Sequence, residues 1–178
     1  MNHMQPGDKL STFTLRGSDG ELHEVKPGGK GVLILFLCNH CPYVHRYASR
    51  IEELVSTYLP QGLEIWGINS NDAARVPEDA FAKMPAMAQR LGLEGRYLHD
   101  EDQSIARQMR AERTPEAYLF NPAGELVYRG AIDDNHQDAK LAREHYLIDA
   151  IEAILLNHVL QNQYETPVGC TIKWKQHG

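Results

Sequence analysis

Two cysteines, Cys38 and Cys41, are the residues of this sequence best suited to chemistry. They are spaced C-x-x-C and follow directly after a continuous apolar run, VLILFL, at residues 32–37. A run of this length and composition predicts a β-strand that is buried on both faces, and the pattern from Pro42 onward predicts a helix. The pair therefore lies where a strand passes into a helix, beside backbone N–H groups that lack a partner within the helix. Their partial positive charge favours the thiolate, which is the nucleophilic form of cysteine.

Three further residues are candidates for a part in the chemistry of this pair. His40 lies between the two cysteines, where its charge or dipole would stabilise a Cys38 thiolate and lower the pKa of that thiol. The alternative for His40 is an exposed histidine without such a role. His45, one helical turn after Cys41, is expected on the helix surface. Cys170 has two interpretations: it is a second resolving thiol that folds back onto the pair, or it is a free thiol packed under apolar side chains of the tail.

Composition and charge restrict the class of protein. The chain has 178 residues and a formal net charge of −6, and this length suits one domain with a sizeable hydrophobic core. Negative charge without a basic cluster argues against binding to nucleic acid or to an anionic membrane. The sequence shows no apolar signal core and no run of ~20 apolar residues that would span a membrane, so we expect a cytoplasmic protein. Three cysteines are too few for a secreted disulfide framework, so the pair indicates redox chemistry or metal binding.

The first half of the sequence predicts a hairpin, two strands and a helix. Alternating apolar residues in 13–16 and 22–25, on either side of a Gly-Ser-Asp-Gly turn, predict a β-hairpin. After the cysteines, apolar residues at intervals of three and four predict an amphipathic helix that ends near 60–62. The apolar face of this helix consists of Val44, Tyr47, Ile51, Leu54, Val55 and Tyr58. A second buried strand is expected at 63–68.

The second half predicts short helices, a second hairpin and a long final helix. In chain order these elements are two helices beginning near Pro77 and Pro85, with Gly92 as the stop of the second, a strand at 97–98, a helix capped by Asp102, a hairpin of 117–120 and 126–128, and a helix over 147–159. A parallel α/β core with an antiparallel strand pair at its end accounts for this order.

The order of elements resembles the thioredoxin fold. The cysteine pair lies where the first central strand meets its helix, and Thr114-Pro115 lies just before the last hairpin. The chain is more closely similar to the redoxin branch of alkyl hydroperoxide reductase and thiol-specific antioxidant (AhpC/TSA) proteins, which is peroxiredoxin-like. Three segments between Pro6 and Asp134 carry this resemblance: FTLRGSDGELHEV, LFLCNHCPYV and ERTPEAYLFNPAGELVYRGAIDD.

The resemblance implies an architecture for the whole chain. We expect a single thioredoxin-like α/β domain over residues 1–178, with a central mixed sheet flanked by helices and an N-terminal β-hairpin. Its core covers residues 6–160, and residues 161–178 form a C-terminal tail extension outside the general thioredoxin pattern.

The resemblance also implies roles for the site residues. Cys38, at the strand end and nearer to solvent, attacks a protein or small-molecule disulfide, and the shielded Cys41 resolves the mixed disulfide; no cofactor is expected. Thr114 offers backbone groups to an extended substrate strand, beside a cis peptide bond before Pro115. Thioredoxins often bury a carboxylate on the strand before the motif to take a proton from the inner cysteine, but residues 32–37 contain none. Another segment or water must supply this function, or exchange is slower.

A thiol peroxidase that acts on peroxide is the first alternative. Peroxiredoxins carry Pro-x-x-x-Thr-x-x-Cys, in which the threonine hydroxyl helps to form the peroxide pocket. The threonine position holds Leu35 when Cys38 is aligned with the reactive cysteine, and it holds Cys38 when Cys41 is aligned. Neither alignment supplies the hydroxyl, although Arg113 is a candidate for a cation in such a pocket. Efficient peroxide reduction is therefore not expected.

The second alternative is a protein that binds or delivers copper or zinc. Thiolates are soft ligands that favour copper(I) and zinc, and a site of this kind would need Cys38, Cys41, His45 and Cys170 to converge. The copper-delivery relatives of this fold space their cysteines C-x-x-x-C, and no second C-x-x-C is present to complete a zinc site. The sequence therefore favours redox chemistry over metal binding.

Overall fold

The computed structural model describes residues 3–176 and shows a mixed sheet with helices on both faces. Eight strands form this sheet in the order β2-β1-β5-β4-β3-β7-β8-β9, and β10 pairs with β6 in a separate two-stranded sheet. The strands are β1 Phe13–Gly17, β2 Leu22–Val25, β3 Val32–Leu37, β4 Glu64–Asn69, β5 Tyr97–His99, β6 Arg113–Thr114, β7 Glu116–Phe120, β8 Leu126–Gly130, β9 Tyr164–Glu165 and β10 Cys170–Thr171. The helices are α1 Pro42–Tyr58, α2 Met84–Leu91, α3 Ser104–Met109 and α4 Tyr146–Leu155. The predicted fold class is confirmed.

Strand β3 lies at the centre of the large sheet, parallel to β4 and antiparallel to β7. Leu33, Leu35 and Leu37 pack into one apolar cluster with side chains of α1, α2 and α4. Ile34 and Phe36 face the other side, in a cluster with side chains of α3 and the first hairpin. Because both faces are covered, every residue of the strand is buried, and this is why its sequence is apolar without alternation.

Helix α1 follows β3 directly and has the apolar face that the sequence predicts. Pro42 occupies the first helical position, where its missing N–H would have no partner in any case. All six residues assigned to the apolar face are buried, together with Ala48. The helix ends at Tyr58, and Gly62 (φ +97°) then reverses the chain in a left-handed conformation that favours glycine.

Both predicted hairpins form. Strands β1 and β2 pair antiparallel with Phe13 opposite Val25, and β7 and β8 pair antiparallel with Ala117 opposite Gly130. The two alternating sequence patterns are therefore confirmed as strand pairs, which lie on opposite sides of β3 in the sheet order. The first hairpin joins the sheet through β5, and the second joins it through β3.

Two helices differ from their predictions. Pro77 opens a single 3₁₀ turn, Pro77–Asp79, and not an α-helix. The final helix ends at Leu155 and does not reach 159, because Asn157 adopts a left-handed conformation (φ +55°) that a helix does not contain. Val159, beyond this point, is 92% exposed. Neither change is visible in the spacing of apolar residues.

The first turn of α3 is capped differently from the prediction. Asp102 accepts a hydrogen bond from the N–H of Ser104, the first residue of the helix. The buried Asp100, at the end of β5, accepts from the N–H groups of Ile105 and Ala106. Asp100 is therefore the main cap, because it satisfies two of the free N–H groups at the helix start.

The C-terminal tail folds back onto the domain. Strand β9 pairs parallel to β8, and β10 pairs antiparallel to β6 with Cys170 opposite Thr114. The expected domain boundaries include residues 1, 2, 177 and 178, which lie outside the described residues. Over residues 3–176, no helix has both the length and the apolar character needed to cross a membrane.

Candidate active site

The C-x-x-C pair lies at the junction of β3 and α1, as the sequence predicts. Cys38 follows the last residue of β3, and Cys41 is the N-cap residue of α1 with extended backbone (φ −63°, ψ 125°). The expectation that Cys38 is nearer to solvent is wrong for this structure, since both side chains are 0% exposed. Cys38 is shielded because Thr114 packs against its sulfur, while the tail strand lies along the outer edge of β6.

The Thr114-Pro115 loop meets both sulfurs. The peptide bond before Pro115 is cis, in agreement with the resemblance. The Thr114 hydroxyl oxygen lies 3.4 Å from Cys38 Sγ, and the Thr114 carbonyl oxygen lies 3.5 Å from Cys41 Sγ, within reach of a protonated Cys41 thiol. A loop more than 70 residues away in sequence therefore forms one wall of the site.

Cys170 is the third sulfur of the site. Its Sγ lies 2.6 Å from Cys41 Sγ, and all three cysteines are free thiols. The pairing of β10 with β6 creates this contact, because Cys170 stands opposite Thr114. Cys170 is partly exposed, so it is the one cysteine of the three that a molecule in solution can reach.

Among the three cysteines, Cys41 has the lowest pKa. Its pKa is lowered mainly by a hydrogen bond from the Cys38 thiol, with smaller contributions from the Cys170 thiol and the nearby backbone amide of Val44. A thiolate at Cys41 in turn raises the pKa of Cys38, which burial and the negative charge of Asp79 raise further. Burial and the same Cys41 sulfur raise the pKa of Cys170 to about 11.

These directions reverse one expectation from the sequence. Cys38 was expected to be more acidic than a free thiol, with His40 stabilising its charge. Its pKa is raised instead, because the neighbouring Cys41 sulfur, burial and the negative charge of Asp79 all disfavour a thiolate at Cys38. The helix start favours a thiolate as predicted, but the favoured cysteine is the one that caps the helix.

A buried carboxylate reaches the site from outside β3. Asp79, on the turn after β4, is fully buried and accepts four hydrogen bonds. The donors are the backbone N–H of Asn39 at 2.6 Å, the Nδ1 of His40 at 2.6 Å, the Nδ2 of Asn71 at 2.9 Å and the Nδ2 of Asn69 at 3.3 Å. Four donors satisfy the oxygens of this buried carboxylate. Asp79 therefore fixes the loop between the cysteines and places a negative charge beside Cys38.

Sequence reasoning missed Asp79, although it noted that a carboxylate was absent from β3. The residue lies 38 positions after Cys41, in a polar stretch without a recognisable motif. Its only sequence signal is the polar character of the segment that follows β4. The local turn opened by Pro77 and the tertiary packing of that segment bring the carboxylate to the site.

The metal-ligand set considered from the sequence does not assemble. The sulfurs of Cys41 and Cys170 are in contact, but the ring nitrogens of His45 contact the carbonyl oxygen of Asn39 and the guanidinium of Arg90. Among residues 3–176, one group of three potential ligands comes together, namely Cys38, His40 and Asp79, with their ligand atoms within 4.8 Å of one another. The oxygens of Asp79 already accept four N–H donors, so this group is better suited to hydrogen bonding than to holding a metal ion.

A family model identifies the chain. The model described as the AhpC/TSA family matches residues 6–129, which is more than two thirds of the sequence. The chain belongs to the AhpC/TSA family. It is a thioredoxin-fold redoxin, and the fold and family expected from the resemblance are both confirmed.

Two solved structures are similar to this AhpC/TSA protein over almost their whole length. An uncharacterized conserved protein from Geobacillus kaustophilus is 33% identical with a TM-score of 0.90, and the match covers 99% of this chain and 96% of that one. A hypothetical protein from Sinorhizobium meliloti is 30% identical with a TM-score of 0.87, covering 99% and 98%. These matches cover almost the whole of this chain, including most of the tail.

A curated relative carries a functional name. The thiol-disulfide oxidoreductase ResA from Halalkalibacterium halodurans is 29% identical over 122 residues, which is 68% of this chain. The aligned region spans 65% of the length of ResA, so the match leaves out about a third of that protein.

Thr114 also supplies a hydroxyl group to the site. The Thr114 hydroxyl oxygen lies 3.4 Å from Cys38 Sγ, whereas β3 contains no threonine. The guanidinium of Arg113 donates to the carbonyl oxygen of Gly169, so it holds the tail in place.

Proposed function

We propose that this AhpC/TSA protein is a thiol–disulfide oxidoreductase in which Cys38 is the nucleophile and Cys41 is the resolving cysteine. The observation that carries the proposal is the contact of both sulfurs with one residue, Thr114, of the cis-proline loop. This arrangement places two thiols beside a backbone edge, both of which a disulfide substrate reaches when the tail strand β10 is displaced. The name of the relative ResA agrees with this activity.

The proposed reaction begins with a proton shift within the pair. The Cys38 proton passes to the Cys41 thiolate that it faces, and the Cys38 thiolate attacks one sulfur of a disulfide RS–SR′. A Cys38–SR mixed disulfide forms and R′S⁻ leaves, taking up a proton. Cys41 then loses its proton and attacks Cys38 Sγ, and RS⁻ leaves and is protonated. The products are a Cys38–Cys41 disulfide and two reduced thiols, so two electrons pass from the pair to the substrate.

The low pKa of Cys41 suits the resolving step. A resolving cysteine attacks as a thiolate, and the surroundings of Cys41 favour that form. The same acidity makes Cys41 a good leaving group when the pair oxidises another dithiol, because a thiol with a lower pKa leaves faster. The direction of electron flow therefore depends on the reduction potential of the partner.

His40 is proposed to tune the pair through Asp79. Its Nδ1 donates to the Asp79 carboxylate, which is the charge that disfavours a Cys38 thiolate. A histidine in this position offsets part of that charge.

We also propose a cytoplasmic location for the protein, which fractionation of cells tests.

Reduction of insulin disulfides by dithiothreitol tests the proposed function. We expect the reduced wild-type protein to accelerate the reaction, and Cys38→Ser to lower the rate to the uncatalysed level because the attacking sulfur is gone. Cys41→Ser should accumulate a Cys38 mixed disulfide, visible by mass spectrometry, because no second thiol resolves it. His158→Ala, on an exposed residue after α4, serves as the control. An equal rate in wild type and Cys38→Ser would contradict the proposal.

Thiol peroxidase activity is the second candidate, and the contact between Thr114 Oγ1 and Cys38 Sγ favours it. The same variants assayed for consumption of hydrogen peroxide with dithiothreitol as reductant separate the two activities. Thr114→Val removes the hydroxyl but keeps the shape of the side chain. Loss of peroxide turnover in this variant, with insulin reduction retained, would assign a peroxidase role to that hydroxyl.

A further inference from the structure

The tail strand β10 occupies the place that the fold offers to a substrate. By resemblance, the backbone of Thr114 pairs with an extended substrate strand. In this structure the backbone edge of β6 is already paired, antiparallel, with Cys170 and Thr171. The chain therefore presents its own extended segment, with its own cysteine, to its C-x-x-C pair.

This segment is held along its length by backbone hydrogen bonds. The N–H of Ile172, a buried residue, donates to the carbonyl oxygen of Glu112. The N–H of Lys173 donates to the Asn71 side chain. The Lys173 carbonyl oxygen accepts from the side chain of Gln103 and from a backbone N–H in the loop after β4. The backbone that follows Cys170 is thus held against the domain.

Gly169 makes the close approach to Thr114 possible. A Cβ atom at position 169 would lie 2.1 Å from the carbonyl oxygen of Thr114, a distance that no real side chain tolerates. Arg113 also donates to the carbonyl oxygen of Gly169 at 3.2 Å. A glycine immediately before the cysteine is therefore required to bring the Cys170 sulfur against Cys41.

We propose that Cys170 is a third redox thiol, which takes the disulfide over from the Cys38–Cys41 pair. The Cys170 thiolate attacks Cys41 Sγ of the oxidised pair, a Cys41–Cys170 disulfide forms, and Cys38 leaves as a thiolate that takes up the proton lost by Cys170. No electrons are gained or lost in this exchange, so it needs no further oxidant. The proposal rests on the proposed function, which supplies the Cys38–Cys41 disulfide.

The separation of the sulfurs supports this step. Cys41 Sγ and Cys170 Sγ are 2.6 Å apart, and the bond between them would be about 2.05 Å long. Cys41 can form one disulfide only, so Cys38 and Cys170 compete for the same sulfur.

The exchange moves the disulfide to a position that a reductant can reach. Cys38 and Cys41 are fully buried, whereas Cys170 is partly exposed. An external dithiol that attacks Cys170 Sγ forms a mixed disulfide with Cys170 and releases Cys41 as a thiolate. Cys41 is a good leaving group because its pKa is lowered. Cys170 then connects the buried pair to its reductant while the tail stays in place.

Disulfide mapping of the full chain tests the proposal. Reduced protein is oxidised with oxidised glutathione, quenched in acid, alkylated and digested, and the linked peptides are identified by mass spectrometry. In wild type we expect the Cys41–Cys170 peptide to exceed the Cys38–Cys41 peptide by about tenfold or more, with Cys38 alkylated. In Cys170→Ser we expect the Cys38–Cys41 disulfide. A wild-type protein with a Cys38–Cys41 disulfide and an alkylated Cys170 would overturn the proposal and make Cys170 a packed free thiol.

Two further variants separate tail placement from loss of the thiol. Gly169→Ala keeps Cys170 but pushes it away from Cys41, so we expect the disulfide pattern of Cys170→Ser. Thr171→Ala changes an exposed neighbour in β10 and should behave as wild type. If Gly169→Ala still forms the Cys41–Cys170 disulfide, the placement argument is wrong. If Cys170→Ser forms no Cys38–Cys41 disulfide, the proposed function fails, which is a different outcome.

Discussion

The three sulfurs of the site have different surroundings, and these surroundings set their chemistry. Cys41, at the N-cap position of α1, has a lowered pKa, mainly because of the neighbouring Cys38 thiol and to a smaller extent because of the Cys170 thiol. Cys38 has a raised pKa because it faces the Cys41 sulfur, is buried, and lies near the Asp79 carboxylate. In the proposed reaction, Cys41, which has the lowered pKa, is the resolving cysteine. Cys38 is the attacking cysteine, and it becomes a thiolate when its proton passes to Cys41.

His40 and Asp79 should shift the pKa of Cys38 in opposite directions. In a Cys41→Ser/Cys170→Ser background, where Cys38 is the one remaining cysteine, Asp79→Asn should lower this pKa because it removes a nearby negative charge. His40→Ala should raise it, because the carboxylate loses a hydrogen-bond donor. Alkylation of Cys38 by iodoacetamide across pH measures both. We expect changes of about threefold or more at neutral pH, since one pKa unit is tenfold in thiolate.

The control for this pair of variants is His158→Ala in the same background, since this exposed histidine lies after α4. Asp79 accepts four hydrogen bonds, so thermal unfolding is measured alongside to show that each variant is folded. Shifts of the same sign in His40→Ala and Asp79→Asn would contradict the assignment of His40 as a residue that acts through Asp79. An unchanged rate in His40→Ala would give it no role in the site.

At the scale of elements, the sequence predicts the strands and helices whose buried residues follow a regular pattern. The apolar run of β3, the spacing along α1 and the alternation in the two hairpins predict their structures because each buries a repeating face. The two-residue strands β9 and β10 have no period to detect. They form where Gly130 and Gly169, which have no Cβ atom, let another segment of backbone approach closely. This close approach depends on tertiary packing and has no local sequence pattern.

Strand β10 should act as a cover for the pair. Gly169→Ala should weaken its contact with Thr114, because the added Cβ meets that carbonyl oxygen. We expect the rate at which iodoacetamide modifies Cys38 and Cys41 in the reduced protein to rise by about tenfold or more, in proportion to the population with the tail displaced. Peptide mapping over time measures this rate for each cysteine.

The matched control is Thr171→Ala, which shortens an exposed side chain in the same strand and should leave the rate unchanged. Equal alkylation rates in wild type and Gly169→Ala would mean that the tail does not limit access to the pair. The cover would then have to be assigned to the Thr114-Pro115 loop alone.

At the scale of the whole molecule, the sheet brings together residues that are far apart in the chain. The β3–α1 junction supplies the pair, the turn after β4 supplies Asp79, the loop before β7 supplies Thr114, and the tail supplies Cys170. The sequence predicts the places of the cysteine pair and of Thr114, because the strand–helix junction and the loop before the final hairpin have fixed positions in the thioredoxin fold. The places of Asp79 and Cys170 depend on loop packing, which has no sequence pattern.

The reduction potential of the pair is the measurement that tests the redox assignment most directly. Reduced and oxidised glutathione buffers are equilibrated with the Cys170→Ser protein, and the free thiols are then trapped in acid and counted by mass. We expect one reversible two-electron transition of Cys38 and Cys41 between about −270 and −120 mV, the range from thioredoxin to a strong disulfide oxidase, and its loss in Cys38→Ser/Cys170→Ser. If both thiols remain alkylatable in the most oxidising buffer, the pair is not a redox couple and the proposed function is wrong.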